Sequence, residues 1–155
     1  MTKDIQTPTV FVMGLKEKTF EVLDHTADLG ILVNGADLKS LFQNAAHAML
    51  QIMMDFQPEQ TGIIRNISVE ASDLPDLMVH WLGEILYFFE GEGQWVIETK
   101  IHDITSVHLD AQIETIPFSS IMQEHLTEIK AVTYHQIEVL HDNAGAWKAR
   151  IIFDL

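Results

Sequence analysis

Five consecutive residues, Asp24-His25-Thr26-Ala27-Asp28, carry two carboxylates, an imidazole and a hydroxyl. Oxygen donors at this density suit a hard cation, and Ca²⁺ takes about six to eight of them. A second acidic group stands at the far end of the sequence, in Phe153-Asp154-Leu155. If the segment bearing Asp154 returns to lie beside the acidic stretch, Asp28, Asp154 and the carboxylate or carbonyl of Leu155 converge as three hard oxygen donors, with water filling the remaining positions. Without a cation such carboxylates repel one another, and at least one holds its proton more tightly. Spacing alone favours a plainer arrangement, in which Asp24 and Asp28 cap a turn and Asp154 is solvated.

Other chemistry is thinner. The eight histidines show neither H-x-x-x-H nor HExxH spacing. His25 and His135 stand out because each lies in a polar patch beside a strand-like run. A hydrolytic set can be assembled on paper from Thr26, His25 and Asp24, but adjacent residues rarely aim at one another productively. An enzyme, specifically a His/Asp hydrolase, is therefore the disfavoured alternative. Gly91-Glu92-Gly93 lacks the lysine and the following helix of a phosphate loop. With no cysteine, disulfides, thiolate nucleophiles and Cys-type zinc sites are excluded.

The elements that must position these residues follow from periodicity. Apolar runs at Thr19–Leu23 and Leu29–Val33 flank the acidic stretch and read as strands, which makes the stretch a loop at the end of a sheet. Asn34-Gly35 signals a turn. Asp37 is a natural N-cap for a helix from Leu38 to about Asp55, with Leu38, Leu41, Phe42, Ala45, Ala46, Met49, Ile52 and Met53 on one face. Ile63–Ala71 reads as a strand. Ser72 or Asp73 caps a second helix with Pro75 in its first turn and Gly91 and Gly93 at its end. Beyond it the pattern is β: Trp95–Ile104, Ser106–Ile116, a strand around Lys130–Val139 and a last strand Trp147–Leu155, with Phe118–Leu126 irregular. The order implies an α+β fold, two helices packed on a mainly antiparallel sheet, in a single domain over 19–155 with an N-terminal extension over 1–18.

At 155 residues and 47% hydrophobic content the sequence suffices for one domain with its own core. Twenty-three acids against nine bases leave a formal charge of −14. That surface repels a phosphate backbone, so strong direct nucleic-acid binding is not expected, whereas a metal ion or a basic protein partner is electrostatically favoured. The N-terminus lacks the basic start and apolar core of a signal peptide, and Leu74–Phe89 is broken by Asp76, His80 and Glu84, so no membrane span is expected and the cytoplasm is the expected compartment.

The sequence resembles the archease family. The resemblance is carried by the stretch from Phe20 to Gly30 containing Asp24-His25-Thr26-Ala27-Asp28, by Asn44-Ala45-Ala46 and Ala48-Met49, by Asp76-Leu77 and Trp81–Tyr87, by Glu128-Ile129-Lys130-Ala131-Val132-Thr133-Tyr134-His135, and by Trp147–Leu155. Residues 1–18 and Pro117–Gln123 depart from the family pattern. The resemblance implies a small acidic α+β protein that activates the RNA ligase sealing tRNA halves, promoting its guanylylation and multiple turnover. It also implies a divalent ion of the Ca²⁺ type held by Asp28, Asp154 and Leu155, which makes the metal arrangement the preferred one. Lys130 is a further candidate for partner contact, and Asp24, His25 and His135 are weaker ones. A second role associated with the family, modulating or chaperoning a tRNA-modifying methyltransferase, is the principal alternative.

Overall fold

Alternation and capping place most elements where the sequence predicts them. A computed structural model of the chain describes residues 19–23 and 28–155. Strands β1 (Phe20–Leu23) and β2 (Asp28–Gly35) pair antiparallel. β2 runs through Asn34-Gly35, which the sequence alone marks as a turn. The reason is packing: a Cβ on Gly35 would come within 2.4 Å of the Leu41 backbone nitrogen, so glycine lets the strand end close against the next helix. That helix, α1 (Leu38–Met53), is capped by Asp37, whose side chain accepts a hydrogen bond from the Ser40 amide at 2.8 Å. The same amide holds the Asp37 carboxyl below the usual carboxylate range.

Strand β3 (Ile63–Glu70) leads to α2 (Leu74–Glu92). Asp73 caps α2, Pro75 occupies its first turn, and Gly93 ends it in the left-handed region at φ 63°. Strands β4 (Gln94–Ile104) and β5 (His108–Pro117) form an antiparallel pair, with β3 on the other side of β5. The irregular stretch that follows contains a single helical turn, α3 (Ser120–Gln123).

The expected strand around Lys130–Val139 is instead two short strands, β6 (Ala131–Val132) and β7 (Glu138–His141), on the same edge of β8 (Trp147–Asp154). Gln136 at φ 54° breaks the run. The turn between them is drawn onto the start of α2, because the Tyr134 hydroxyl donates to Asp76 at 2.7 Å.

Among the described residues all strand pairs are antiparallel, but the strands divide between two sheets, a partition the pattern alone does not specify. One sheet runs β1-β2-β8-β6, with β7 also on β8, and the other runs β3-β5-β4. Among the described residues no strand of one sheet touches a strand of the other, whereas α1 and α2 each touch both. The helices are therefore the middle layer. This explains why α2 buries residues around most of its circumference, including Leu77, Met78, Val79, Trp81, Leu82 and Ile85. The two helices are joined at the centre, where the buried Trp81 indole donates to the Phe42 carbonyl at 2.8 Å. The fold is α+β in one domain. No helix among the described residues is long and apolar enough to cross a membrane.

Candidate functional site

The β2–β8 ladder decides what the acidic residues can do. Its register sets Asp28 directly opposite Asp154, then Leu29 opposite Phe153 and Ile31 opposite Ile151. Ile31, Ile151 and Phe153 are fully buried in the core, and side chains alternate along a strand, so Asp28 and Asp154 share the opposite face. Residues directly opposed across such a ladder have Cβ atoms roughly 4.5–5.5 Å apart, and like charges so placed are destabilising. Asp28 is half-buried and Asp154 exposed. Among the described residues neither forms an ion pair with a lysine or arginine.

Lys130 reaches the same corner from the other side. Its amide donates to the Asp154 carbonyl at 2.8 Å, and Ala131 pairs with Asp154, so Asp154 lies between Asp28 and β6. Leu155 follows at the end of the sheet, 42% exposed. His135 stands apart, exposed in the turn after β6, with its amide donating to Thr133 Oγ1 at 3.2 Å. Asp24 and His25 lie outside the described residues.

Every donor at the corner is oxygen, with no imidazole or thiolate among the described residues there. That chemistry fits Ca²⁺ or Mg²⁺ rather than zinc or copper. No cluster of three metal-ligating side chains occurs among the described residues. An ion at this corner would rest on two carboxylates, with main-chain oxygen and water completing its shell.

Two further polar constellations escaped the sequence reading. On the outer face of the three-stranded sheet the Ser68 hydroxyl donates to Asp110, and His108 Nε2 lies 3.0 Å from the other Asp110 oxygen. The bond to Asp110 raises the His108 pKa, while Ser68 and then His108 lower that of Asp110. The carboxylate sits between hydroxyl and imidazole, so the histidine cannot take the serine proton, and the set is a surface brace rather than a hydrolytic triad.

The second constellation borders a cleft of about 560 Å³ between α2, the end of β3 and β6, lined among others by Glu70, His80, Gly83, Glu84, Tyr87 and Lys130. At its rim Asp76 accepts from Tyr134 and from the Ser72 amide, with His80 Nε2 at 3.3 Å. The Ser72 amide first, then Tyr134, hold the Asp76 carboxyl below its usual range. The other imidazole nitrogen of His80, Nδ1, donates to the Glu70 carbonyl at 2.8 Å. Two signals for this region are present in the sequence: the i, i+4 pair Asp76 and His80, and a glycine, Gly83, in a helix interior. Nothing local marks Tyr134, which arrives from 58 residues away.

Two antiparallel sheets enclosing two helices, with an acidic pair across the central ladder of the larger sheet, define a small α+β protein built around its last strand. The chain belongs to the archease family: the family described as Archease protein family (MTH1598/TM1083) matches residues 20–155. It is 34% identical over 147 residues to the protein archease of Methanosarcina mazei, covering 92% of this chain and 100% of that one. It is 29% identical over 145 residues to an archease-like protein of Drosophila melanogaster, covering 91% and 93%. The solution structure of Methanobacterium thermoautotrophicum protein 1598 superposes with a TM-score of 0.74 at 32% identity, covering 88% and 99% of the two chains. A crystal structure from Thermotoga maritima, described as an archease and possible chaperone, gives 0.59 at 18% identity over 86% and 94%, a likeness of fold alone.

Proposed function

We propose that this protein is a non-enzymatic accessory factor that activates an RNA ligase acting on tRNA halves, promoting guanylylation of the ligase and its multiple turnover. Family membership supports the reading, and the observation that carries it is the register placing Asp28 against Asp154. Asp28, Asp154 and an oxygen of Leu155 hold a divalent ion of the Ca²⁺ type. When bound, the ion supplies the positive charge that offsets two facing carboxylates. The protein's own residues do the rest. The acidic surface, at a formal charge of −14, steers a basic partner face toward this corner. Lys130, anchored by its amide to Asp154, sets a cation beside the pair for contact with the partner. Asp24, His25 and His135 are weaker candidates for the same contact. The absence of cysteine suits the reducing cytoplasm, where we place the protein.

The test is a reconstituted ligation with purified ligase and Asp28→Asn or Asp154→Asn protein. Stimulation is expected to fall at least about tenfold, with Ca²⁺ affinity falling alongside it in calorimetric titration. Variants that stimulate as well as the parent would overturn the reading. A second reading, a chaperone or modulator of a tRNA-modifying methyltransferase, is the other role that the family resemblance implies. Capture from lysate followed by partner identification separates the two.

A further inference from the structure

The cleft beside α2 has a floor that its own packing does not explain. Gly83 sits in the interior of a 19-residue helix, where glycine costs about 1 kcal/mol relative to alanine. A Cβ added there would meet nothing within 4 Å among the described residues, so none of them requires its absence. Interior helical glycines elsewhere admit a close approach of another backbone. Here the space above Gly83 is the cleft itself.

Among the described residues, one wall of that cleft is a strand edge with no further strand on it. The Thr133 amide donates to the Ile152 carbonyl at 3.0 Å, toward β8. Backbone groups alternate sides along an antiparallel strand, so Val132, one residue earlier, turns its amide and carbonyl away from β8. Lys130, Ala131 and Val132 all line the cleft, as consecutive residues do when a backbone edge forms the wall. The facing wall, Ser68 to Glu70, belongs to the edge strand of the other sheet, where the Glu70 carbonyl is already taken by His80. The charge is one-sided: Glu70, Glu84 and Glu90 line the space against Lys130, and Tyr87 offers a 52% exposed ring.

We infer that this cleft receives an extended, lysine- or arginine-bearing segment of a protein partner, whose main chain passes over Gly83 and bonds to the Val132 edge while its cations meet Glu70, Glu84 and Glu90. The mode is strand addition, with main-chain bonds giving affinity and alternate side chains giving specificity. The surface adjoins the Asp28–Asp154 corner through Lys130 and Ala131, and the inference does not rest on ion binding there.

The probe is a blocked eight-residue peptide of alternating lysine and valine, labelled for fluorescence anisotropy, with amide shifts followed by nuclear magnetic resonance. Binding is expected to perturb the Gly83, Tyr87 and Val132 amides and to be lost when the valine nitrogens are methylated. Gly83→Leu, which alters no charge, should weaken binding about tenfold or more while the protein melts no earlier. Glu84→Gln, a change of charge at nearly constant size, should also weaken it. Asp28→Asn should leave peptide affinity unchanged, which separates this outcome from failure of the ligase reading. A glutamate–valine peptide binding as tightly, a single-stranded oligonucleotide occupying the cleft instead, or full affinity in both Gly83→Leu and Glu84→Gln would overturn the proposal.

Discussion

Glu90 shows how one carboxyl reports on its surroundings. Glu90 is exposed, yet desolvation at the cleft wall, then the charge of Glu128, push its pKa above the ordinary 4.5. The fold therefore favours the protonated form. Its contribution to stability is fully present below pH 4.5 and is lost as pH rises through the raised folded-state value. Glu90→Gln should accordingly raise the melting temperature at about pH 7 and change it little at about pH 4. An equal gain at both pH values would show that the cost of ionising Glu90 is not the cause. A signal for this residue is legible in sequence, where Glu90 and Glu92 close a helix at its negative end. The cleft that crowds Glu90 is not.

At the scale of elements, two glycines in or beside helices behave oppositely because their neighbours differ. Gly35 lets β2 close onto α1, and Gly35→Ala drives a methyl into Leu41 backbone 2.4 Å away. That overpacking should cost about 1–3 kcal/mol. Gly83→Ala meets open space and should gain up to about 1 kcal/mol from helix propensity alone. Denaturant unfolding of both variants checks the pair, and the same sign for both would refute the account. The sequence marks each residue only as glycine. What distinguishes them is the distance of the next backbone. The same holds for Lys130–Val139, where propensity favours one strand and the Tyr134–Asp76 hydrogen bond, formed across 58 residues, accompanies the bend into two.

For the whole molecule, the charge of −14 is a field as well as a sum. Self-repulsion of the compact state weakens as salt screens it, with a Debye length of about 10 Å at 0.1 M against about 30 Å at 0.01 M. The melting temperature should therefore rise between those two KCl concentrations, as followed by circular dichroism. A fall would mean that favourable ion pairs such as Arg150–Glu138 outweigh repulsion.

Periodicity, caps and breakers determine elements locally, and the sequence by itself therefore determined the α+β class, the cap at Asp37 and a second helix capped at Ser72 or Asp73, of which the structure uses Asp73. Spacing alone favours a capped turn at Asp24 and Asp28 with Asp154 solvated; the family resemblance is what sets Asp28 beside Asp154, and the β2–β8 register places the two residues opposite each other. Only the tertiary structure decided that the strands part into two sheets around the helices, that Lys130 borders a cleft, and that Gly83 forms its floor. Those facts depend on which surfaces meet across long sequence separations, and a one-dimensional pattern records which residues must be buried without recording what buries them.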